Sequence, residues 1–533
     1  MANRERQIRI YDLHSWTGIA LGLFLYVVCF TGSVAMFARD EIKSWEDPAL
    51  RLTVAETPVA INETFSSWVE KHSDGYELTF LGFNFPAEHH PFYSAQLNRR
   101  SEDGGDVDFV TGRWDTETGE PIVAKGDGLS TWLLDFHRDL MWPDELGGRQ
   151  IGRGLVGLAG VVLLLSIISG VVAHTKIVQE LYSLRYWRSV RLKWQDTHKV
   201  IGLWTLPFSS MIAVTGAYLG VITLLLPIVA MIMFKGDIEG MIEELGFGQA
   251  DPVGEQAQML SIDEIAQMQH PGSGELPAHV YMRHYGDQGA VFEVIYESKD
   301  DLKNGDVVTL SGVTGEGIEA SVINQPSPAN RTLRAMSPLH YGTYGAIALK
   351  LMYFVLGLML SAIVALGTMM WIERRLHGNE GSKSEAFYRR LSHLNVGVTL
   401  GLPAATAVLF YADKLAFDGA GSHVIMSGWI YLGTVAAAIG YAFWRQHDYR
   451  ATVELLLGVG AMLVVLPLVN TVATGDLFIT KLFAKNQDWA WLDLAFLLVG
   501  SAVLVSATKL PQRRPDSKKK KRTAVPTTAV PAE

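Results

Sequence analysis

The chain has 533 residues, of which 49% are apolar and only 19% charged, whereas an average soluble domain carries roughly 25% charge. Uncharged runs of about 18 residues or more recur along it, and such runs form membrane-crossing helices. This composition excludes a soluble enzyme, a disordered protein and a nucleic-acid binder. The single cysteine, Cys29, lies within an apolar run, which also excludes a disulfide framework and a cysteine-ligated zinc or iron–sulfur site.

In chain order, the hydropathy predicts a multi-pass α-helical membrane protein with about eight spans, at 16–37, 154–173, 201–224, 347–371, 394–411, 424–444, 453–472 and 489–507. The predicted organisation runs as follows: 1–38, N-terminus and first span; 39–151, an outside domain; 152–174, the second span; 175–199, an inside loop; 200–234, the third span; 235–346, a second outside domain; and 347–372, the fourth span. Four further spans and a basic, disordered tail at 508–533 complete it. The third apolar run continues to Phe234, with Pro207 and Pro227 as expected kinks. The first span is too long for a signal core, and no small-residue cleavage site follows it. Lys and Arg set the orientation. With the N-terminus inside, 24 of the 45 basic residues fall in inside segments of about 91 positions, against 19 in outside segments of about 252. Both termini are therefore expected in the cytoplasm, with Lys518 to Arg522 at the inner leaflet.

The two outside segments together carry 39 acidic and 16 basic residues. That balance suits solvated surface and neutral or cationic ligands. Val291–Tyr296 alternates as a strand, and 307–313 is its predicted hairpin partner. Ser261 with Glu264 has the form of a helix N-cap box. Thr118-Gly119-Glu120 and Thr314-Gly315-Glu316 are paired turns.

These turns belong to an internal duplication. Asp12-x-His14-x-x-x-Gly18 recurs as Asp196-x-His198-x-x-x-Gly202, and Thr31-Gly32 recurs as Thr215-Gly216, all 184 residues apart. His137 and His340 precede the second and fourth spans, 203 residues apart. The two units have the same orientation, and parallel repeats are related by an axis along the membrane normal. Such an axis would pair His14 with His198 near the inner surface and His137 with His340 near the outer one. Two imidazoles on separate helices suit a six-coordinate haem iron. Gly18 and Gly202 lie four residues past their histidines, on the same helix face, where a flat macrocycle could approach or where helices could pack closely. His174 ends the second span and is a third candidate on the inside, because the matching position of the fourth span is Trp371. It could replace either inner histidine or serve another haem. Arg9, Arg185 and Arg188 inside, and Arg138, Arg331 and Arg334 outside, could meet haem propionates. His393 and His447 read as interfacial, and the pair His89-His90 as loop surface. Rossmann, P-loop and H-E-x-x-H motifs are all absent, which excludes a resident nucleotide domain and a zincin protease.

These residues resemble the PepSY-associated transmembrane family, iron-regulated inner-membrane proteins that include ferric-siderophore reductases. The likeness rests on the Asp12–Gly18 motif, Phe136-His137-Arg138-x-Leu140 with Gly154 and Gly157, and Ser169-Gly170-Val171-Val172-Ala173-His174. It continues in Trp194-x-Asp196-x-His198-x-x-Ile201-Gly202, Leu206-Pro207-Phe208 and Leu339-His340-Tyr341-Gly342. It covers about residues 8–375, with the Thr-Gly-Glu turns as ends of two small α+β PepSY domains. The resemblance implies two or more b-type haems and electron transfer across the inner membrane to a periplasmic ferric siderophore or other ferric chelate. That is a ferric-chelate reductase type of oxidoreductase, with release of iron for uptake. Quinol, a separate flavoprotein and reduced flavin are the open donors. The rival expectations are a PepSY-domain regulatory protein that inhibits a protease or senses without redox activity, and then a transporter. The transporter is disfavoured because few charges lie mid-span.

Overall fold

The protein is described here by a computed structural model covering residues 2–87, 90–101, 107–126, 128–174, 182, 190–237, 252–296, 302, 306–318, 328–345, 347–378, 381–417, 422–484 and 487–510. The tail beyond 510, most of the 175–199 loop and His89 lie outside the described residues, and with them the expectations placed there.

Among the described residues seven helices are long and apolar enough to cross a membrane, and a bent pair makes an eighth. In the first unit these are α1 (Ala2–Ala35) and, after a long connecting segment, α4 (Gly148–Ala173). Between them lie α2 (Asn62–Ser73), β1 (Tyr76–Asn84), β2 (Phe92–Ser101), β3 (Val107–Asp115) and α3 (Leu129–Asp139). The second unit repeats the order. It comprises α5 (Val190–Trp204) and α6 (Leu206–Met233), a one-turn α7 (Ile262–Ile265), β4 (His279–Arg283), β5 (Val291–Tyr296), β6 (Asp306–Ser311), α8 (Pro328–Tyr341) and α9 (Ile347–Gly378). Four more helices follow: α10 (Glu385–Leu415), α11 (Val424–Arg445), α12 (Asp448–Thr474) and α13 (Asp488–Lys509). The chain is thus a multi-pass membrane protein with a small α+β region.

The third span breaks by 68° between Trp204 and Leu206. Pro207 cannot donate to the preceding turn and its ring clashes with it. The equivalent of Pro207 in α1 is Leu23, and α1 runs unbroken. No break occurs at Pro227, through which α6 continues to Met233.

The duplicated helices pack as equivalents. α1 lies on α9 as α6 lies on α4, and α1 touches α4 as α5 touches α9. The α4–α6 contact is backbone on backbone. A Cβ built on Gly157 would lie 2.7 Å from the Gly220 carbonyl carbon and the Val221 nitrogen. Glycine is required there because any side chain must push the two helices apart. Gly157→Ala is expected to cost about 1–3 kcal/mol, the usual range for overpacking, read as a lower midpoint of thermal unfolding in detergent. An unchanged midpoint would show that the helices separate freely at this level.

The two long connecting segments, expected as two separate small domains outside the membrane, build one sheet instead. Its order is β3-β2-β1-β4-β5-β6, all antiparallel. That order reads as the repeat from either edge. At its centre Phe83 lies opposite Val280, and these are equivalents, 197 residues apart as Gly170 and Gly367 are. A contact between equivalents falls on the two-fold that relates them. Neither half-sheet of three strands has a partner for its inner edge except the other. Helices α2 and α7 cover one face, where Phe65, Val69, Ile262 and Ile265 pack on Phe83, Leu97, Val280 and Phe292. The helices cap one another: the Asp263 carboxylate accepts from Ile61 N (2.8 Å) and Asn62 N (3.0 Å), and Asn62 Oδ1 accepts from Ile262 N (3.0 Å). The Ser261–Glu264 capping box is present, and both Thr-Gly-Glu turns form, with Gly119 at φ +71° and Gly315 at φ +73°. Asp115 caps the first turn, and Ser311 takes its place in the second.

The last four helices are tied to the first outside segment through buried polar contacts. Trp45 Nε1 donates to Asp493 Oδ1 (2.7 Å), whose other oxygen accepts from Asn470 (2.7 Å). Lys414 Nζ donates to the carbonyls of Trp45 (2.6 Å) and Glu46 (3.0 Å). These helices therefore brace the base of the segment that carries α3.

Candidate functional site

The two histidines expected at the end away from the sheet do meet. His14 on α1 and His198 on α5 have ring centroids 6.4 Å apart, with the planes inclined at 71°. Each ring is held by the second helix of its own unit. His14 Nδ1 lies 2.9 Å from Ser166 O and 3.3 Å from Ser169 Oγ, and His198 Nδ1 lies 3.0 Å from Ile363 O. Ser166 and Ile363 are equivalents, again 197 apart. Both rings rest on a glycine: a Cβ on Gly170 would lie 3.1 Å from His14 Cε1, and one on Gly367 3.3 Å from His198 Cε1. A carbonyl can only accept, so each Nδ1 carries the proton and each Nε2 is left with a lone pair for a ligand.

The sheet-side pair follows the same plan with different acceptors. His137 on α3 and His340 on α8 lie 6.4 Å apart and are nearly parallel, at 13°. Thr31 Oγ1 lies 3.4 Å from His137 Nδ1, and Thr215 Oγ1 lies 3.0 Å from His340 Nδ1. Each hydroxyl donates its own proton down its helix, to Val27 O and Met211 O at 2.8 Å. Its oxygen is thereby free to accept from Nδ1–H. Gly32 and Gly216 make room for the rings, since a Cβ there would lie 2.6 Å from His137 Cε1 and 3.1 Å from His340 Cε1. Burial pushes His137 down to about 4 and His340 down to about 3. Both are therefore neutral imidazoles at neutral pH, the form that binds a metal.

The helix that carries His137 is rigidly placed. The buried Glu46 carboxylate accepts from the backbone N–H groups of Leu129 (3.0 Å) and Ser130 (3.1 Å) at the start of α3. Trp132 and Phe136 stack at 4.7 Å and pack against Tyr431 of α11.

Two imidazoles sharing one metal must stand a set distance apart. A metal–imidazole bond of about 2.0 Å, plus about 1 Å from nitrogen to ring centre, gives a separation of about 6 Å. Both pairs meet this requirement. Among the described residues no group of three or more His, Cys, Asp or Glu converges on one point, so each pair supplies two ligands only. A Cβ built on Gly18 or Gly202 meets nothing within 4 Å. Helix packing therefore does not account for these glycines, and the helix face beside each ligand histidine is open, as a macrocycle requires. The ring separations at both levels suit a shared metal, and at the His14–His198 level the open glycine face also leaves space for a macrocycle.

The other candidates fall elsewhere. His174 caps α4 through its backbone N–H to Val171 O, one turn past Gly170, and the ring facing His198 is that of His14. Arg9 is exposed. Arg138 is engaged with Asp135 at 2.6 Å, and the side chains of Arg185, Arg188, Arg331 and Arg334 lie outside the described residues. His393 is buried, at 5% exposed, and paired with Asp448. His447 caps the start of α12. His90 is no loose surface residue, since its Nε2 lies 3.0 Å from Ser94 Oγ and its ring packs 4.0 Å from Phe92.

The sheet face away from α2 and α7 carries Phe80, Asn84, Ser94, Arg113, His279 and Tyr281 around the two-fold. His279 Nδ1 lies 2.7 Å from Asn84 Oδ1, Asn84 Nδ2 donates to Ser94 Oγ (2.8 Å), and Phe80 packs on Tyr281 at 5.4 Å. Asp40, beyond the end of α1, acts electrostatically on His90 of this network, so this face looks toward the helix ends.

A family model described as the PepSY-associated TM region matches residues 11–374, more than half of the chain. The chain is also similar to an uncharacterised protein of Pseudomonas aeruginosa, with 27% identity over 303 residues that make up 53% of this chain and 72% of the other.

Proposed function

This chain belongs to the family of the PepSY-associated TM region, and on that basis we propose that it is an inner-membrane haem b oxidoreductase that reduces periplasmic ferric chelates, ferric siderophores among them. One observation carries the reading: two histidine pairs, each 6.4 Å apart, at opposite ends of the duplicated helices. Haem held by such a pair of imidazoles would supply one-electron transfer. The protein does the rest. His14 and His198 hold the centre near the cytoplasmic end, where the open donor classes are quinol, a flavoprotein and reduced flavin. His137 and His340 hold the one near the periplasmic end. The backbone and threonine acceptors fix each imidazole in one tautomer and orientation, which raises its basicity as a ligand. Two centres divide a crossing of about 30 Å into shorter hops.

The sheet stands on the same two-fold as both pairs, with its uncovered polar and aromatic face toward the helix ends. That placement supports a ferric chelate held between the sheet and the periplasmic histidine pair. Hard oxygen donors hold Fe(III) much better than Fe(II), so one electron delivered there releases the metal. The purified protein should contain two haems b per chain by pyridine haemochrome. Reduced chemically, it should be reoxidised by ferric siderophores, with Fe(II) trapped by a ferrous chelator, and NADPH alone should not reduce it. Protein without haem from haem-replete cells, or reduced haem that persists with several different ferric chelates, would end this reading. The regulatory role of a PepSY-domain protein would then take first place.

A further inference from the structure

Two basic residues, Arg153 and Lys350, lie inside the duplicated helices near the sheet end, and they are equivalents, 197 residues apart. Their surroundings have diverged. Lys350 Nζ lies 2.9 Å from Asp40 and 2.9 Å from Glu41, so its charge is neutralised within the fold. The positions equivalent to Asp40 and Glu41, 184 residues on, are Leu224 and Leu225. Leu224 is the side chain that packs against Gly154, next to Arg153. Arg153 has therefore kept its charge while the carboxylates of its site have been replaced by leucine.

The carboxylate that acts on Arg153, Asp139, is shared with two other arginines. Arg138 and Arg149 are both paired with Asp135, at 2.6 Å each, and both approach Asp139 at 3.6 Å. That quartet is balanced, two cations against two anions. The groups acting on Arg153 are Arg138, Asp139, Arg149 and Tyr341, so Arg153 is the excess cation. Its Nε is buried and has no hydrogen-bond partner among the described residues, as is also true of Arg138 Nε. A buried N–H of a charged group without a partner is costly unless a ligand completes it. Its height is also informative. The Arg153 carbonyl lies against Gly220, one turn toward the sheet from Gly216, on which His340 rests, and Tyr341 follows His340 directly.

We propose that Arg153, with Arg138 beside it, forms a carboxylate-binding site immediately on the sheet side of the His137–His340 pair. The carboxylate would come from a propionate of the haem on that pair or from a carboxylate-bearing ferric chelate. The proposal rests on the haem reading of the pair. It adds a cation where a one-electron-richer centre gains most from one, because positive charge favours the reduced form.

The test uses the full-length protein in detergent, with Arg153→Leu, Arg153→Lys and Leu225→Glu. The last substitution restores beside Arg153 the carboxylate that neutralises Lys350. Haem per chain, the midpoint potential of the periplasmic-end haem and the half-saturating concentration of ferric citrate are measured. If a propionate is the ligand, Arg153→Leu and Leu225→Glu lower that midpoint or reduce haem from two per chain to one. Arg153→Lys stays closer to the parent, and the other haem is unchanged. If the chelate is the ligand, both haems are unchanged, the half-saturating ferric citrate concentration rises more than about tenfold, and a ferric trihydroxamate without carboxylates is unaffected. Haem content, midpoint and citrate response all equal to the parent's in Arg153→Leu would overturn the proposal. A parent protein lacking haem would overturn the haem reading itself, and is recognised before any variant is made.

Discussion

His340→Ala and His137→Ala are each expected to leave one haem b per chain instead of two, and to slow reoxidation of the reduced protein by ferric chelates by more than tenfold, on the order of 1.4 kcal/mol or more in the barrier. The two rings stand 6.4 Å apart, so on the proposed reading removing either takes away one of two ligands at that level only. The pair on α1 and α5 is held by different carbonyls on α4 and α9 and should keep its haem and spectrum. Loss of both haems from either substitution would indicate unfolding rather than a local ligand role. Thr215→Val offers a finer version of the same test. It removes the acceptor for His340 Nδ1–H at 3.0 Å without touching the histidine, and should alter the spectrum or midpoint of the haem proposed at the sheet end while haem content stays at two.

Gly18→Leu and Gly202→Leu are expected to remove the haem at the other end while leaving the protein folded. A Cβ at either position meets nothing within 4 Å, so the protein alone has room for the start of a side chain, and substitutions clear of packed neighbours usually change stability by less than about 0.5 kcal/mol. A macrocycle seated on His14 and His198 would occupy that same space. The measurement is haem per chain beside the thermal midpoint of the haem-free form. Two haems retained in both variants would show that this helix face is not where the macrocycle lies. A midpoint lowered as far as by Gly157→Ala would return these glycines to helix packing.

Much of the architecture was legible in the sequence because it is written in local patterns. Apolar run lengths located the spans, alternation located β5 and β6, and the Ser261–Glu264 and Thr-Gly-Glu signatures located a cap and two turns. The duplication was also legible, since equal offsets need no coordinates, and with it the pairing of His14 with His198 and of His137 with His340. The preference for His14 over His174 followed from symmetry, and the structure places the His14 ring opposite His198.

Other features depend on contacts that no local pattern encodes. The two outside segments looked like separate domains because each has its own strands. Only the meeting of β1 with β4 shows that neither half-sheet can satisfy its inner edge alone. Thr31 and Thr215 were visible as repeats, yet their role as acceptors for histidine Nδ1–H depends on helices more than 100 residues apart in sequence coming together. His393 lies near the end of an apolar run, where interfacial histidines are common, and its partner Asp448 comes from the start of α12, 55 residues on. Arg153 gave no signal of its own, because one arginine near a helix end is ordinary. Its meaning came from comparing two places that the fold makes equivalent, one with its carboxylates and one with leucines. Sequence alone thus determined the spans, the repeat and the four histidines, because hydrophobic length and residue identity are properties of the chain. Tertiary structure decided which backbone carbonyls, threonines and glycines hold each ring, and which charge is left without a partner, because those depend on side-chain direction and burial across a two-fold axis.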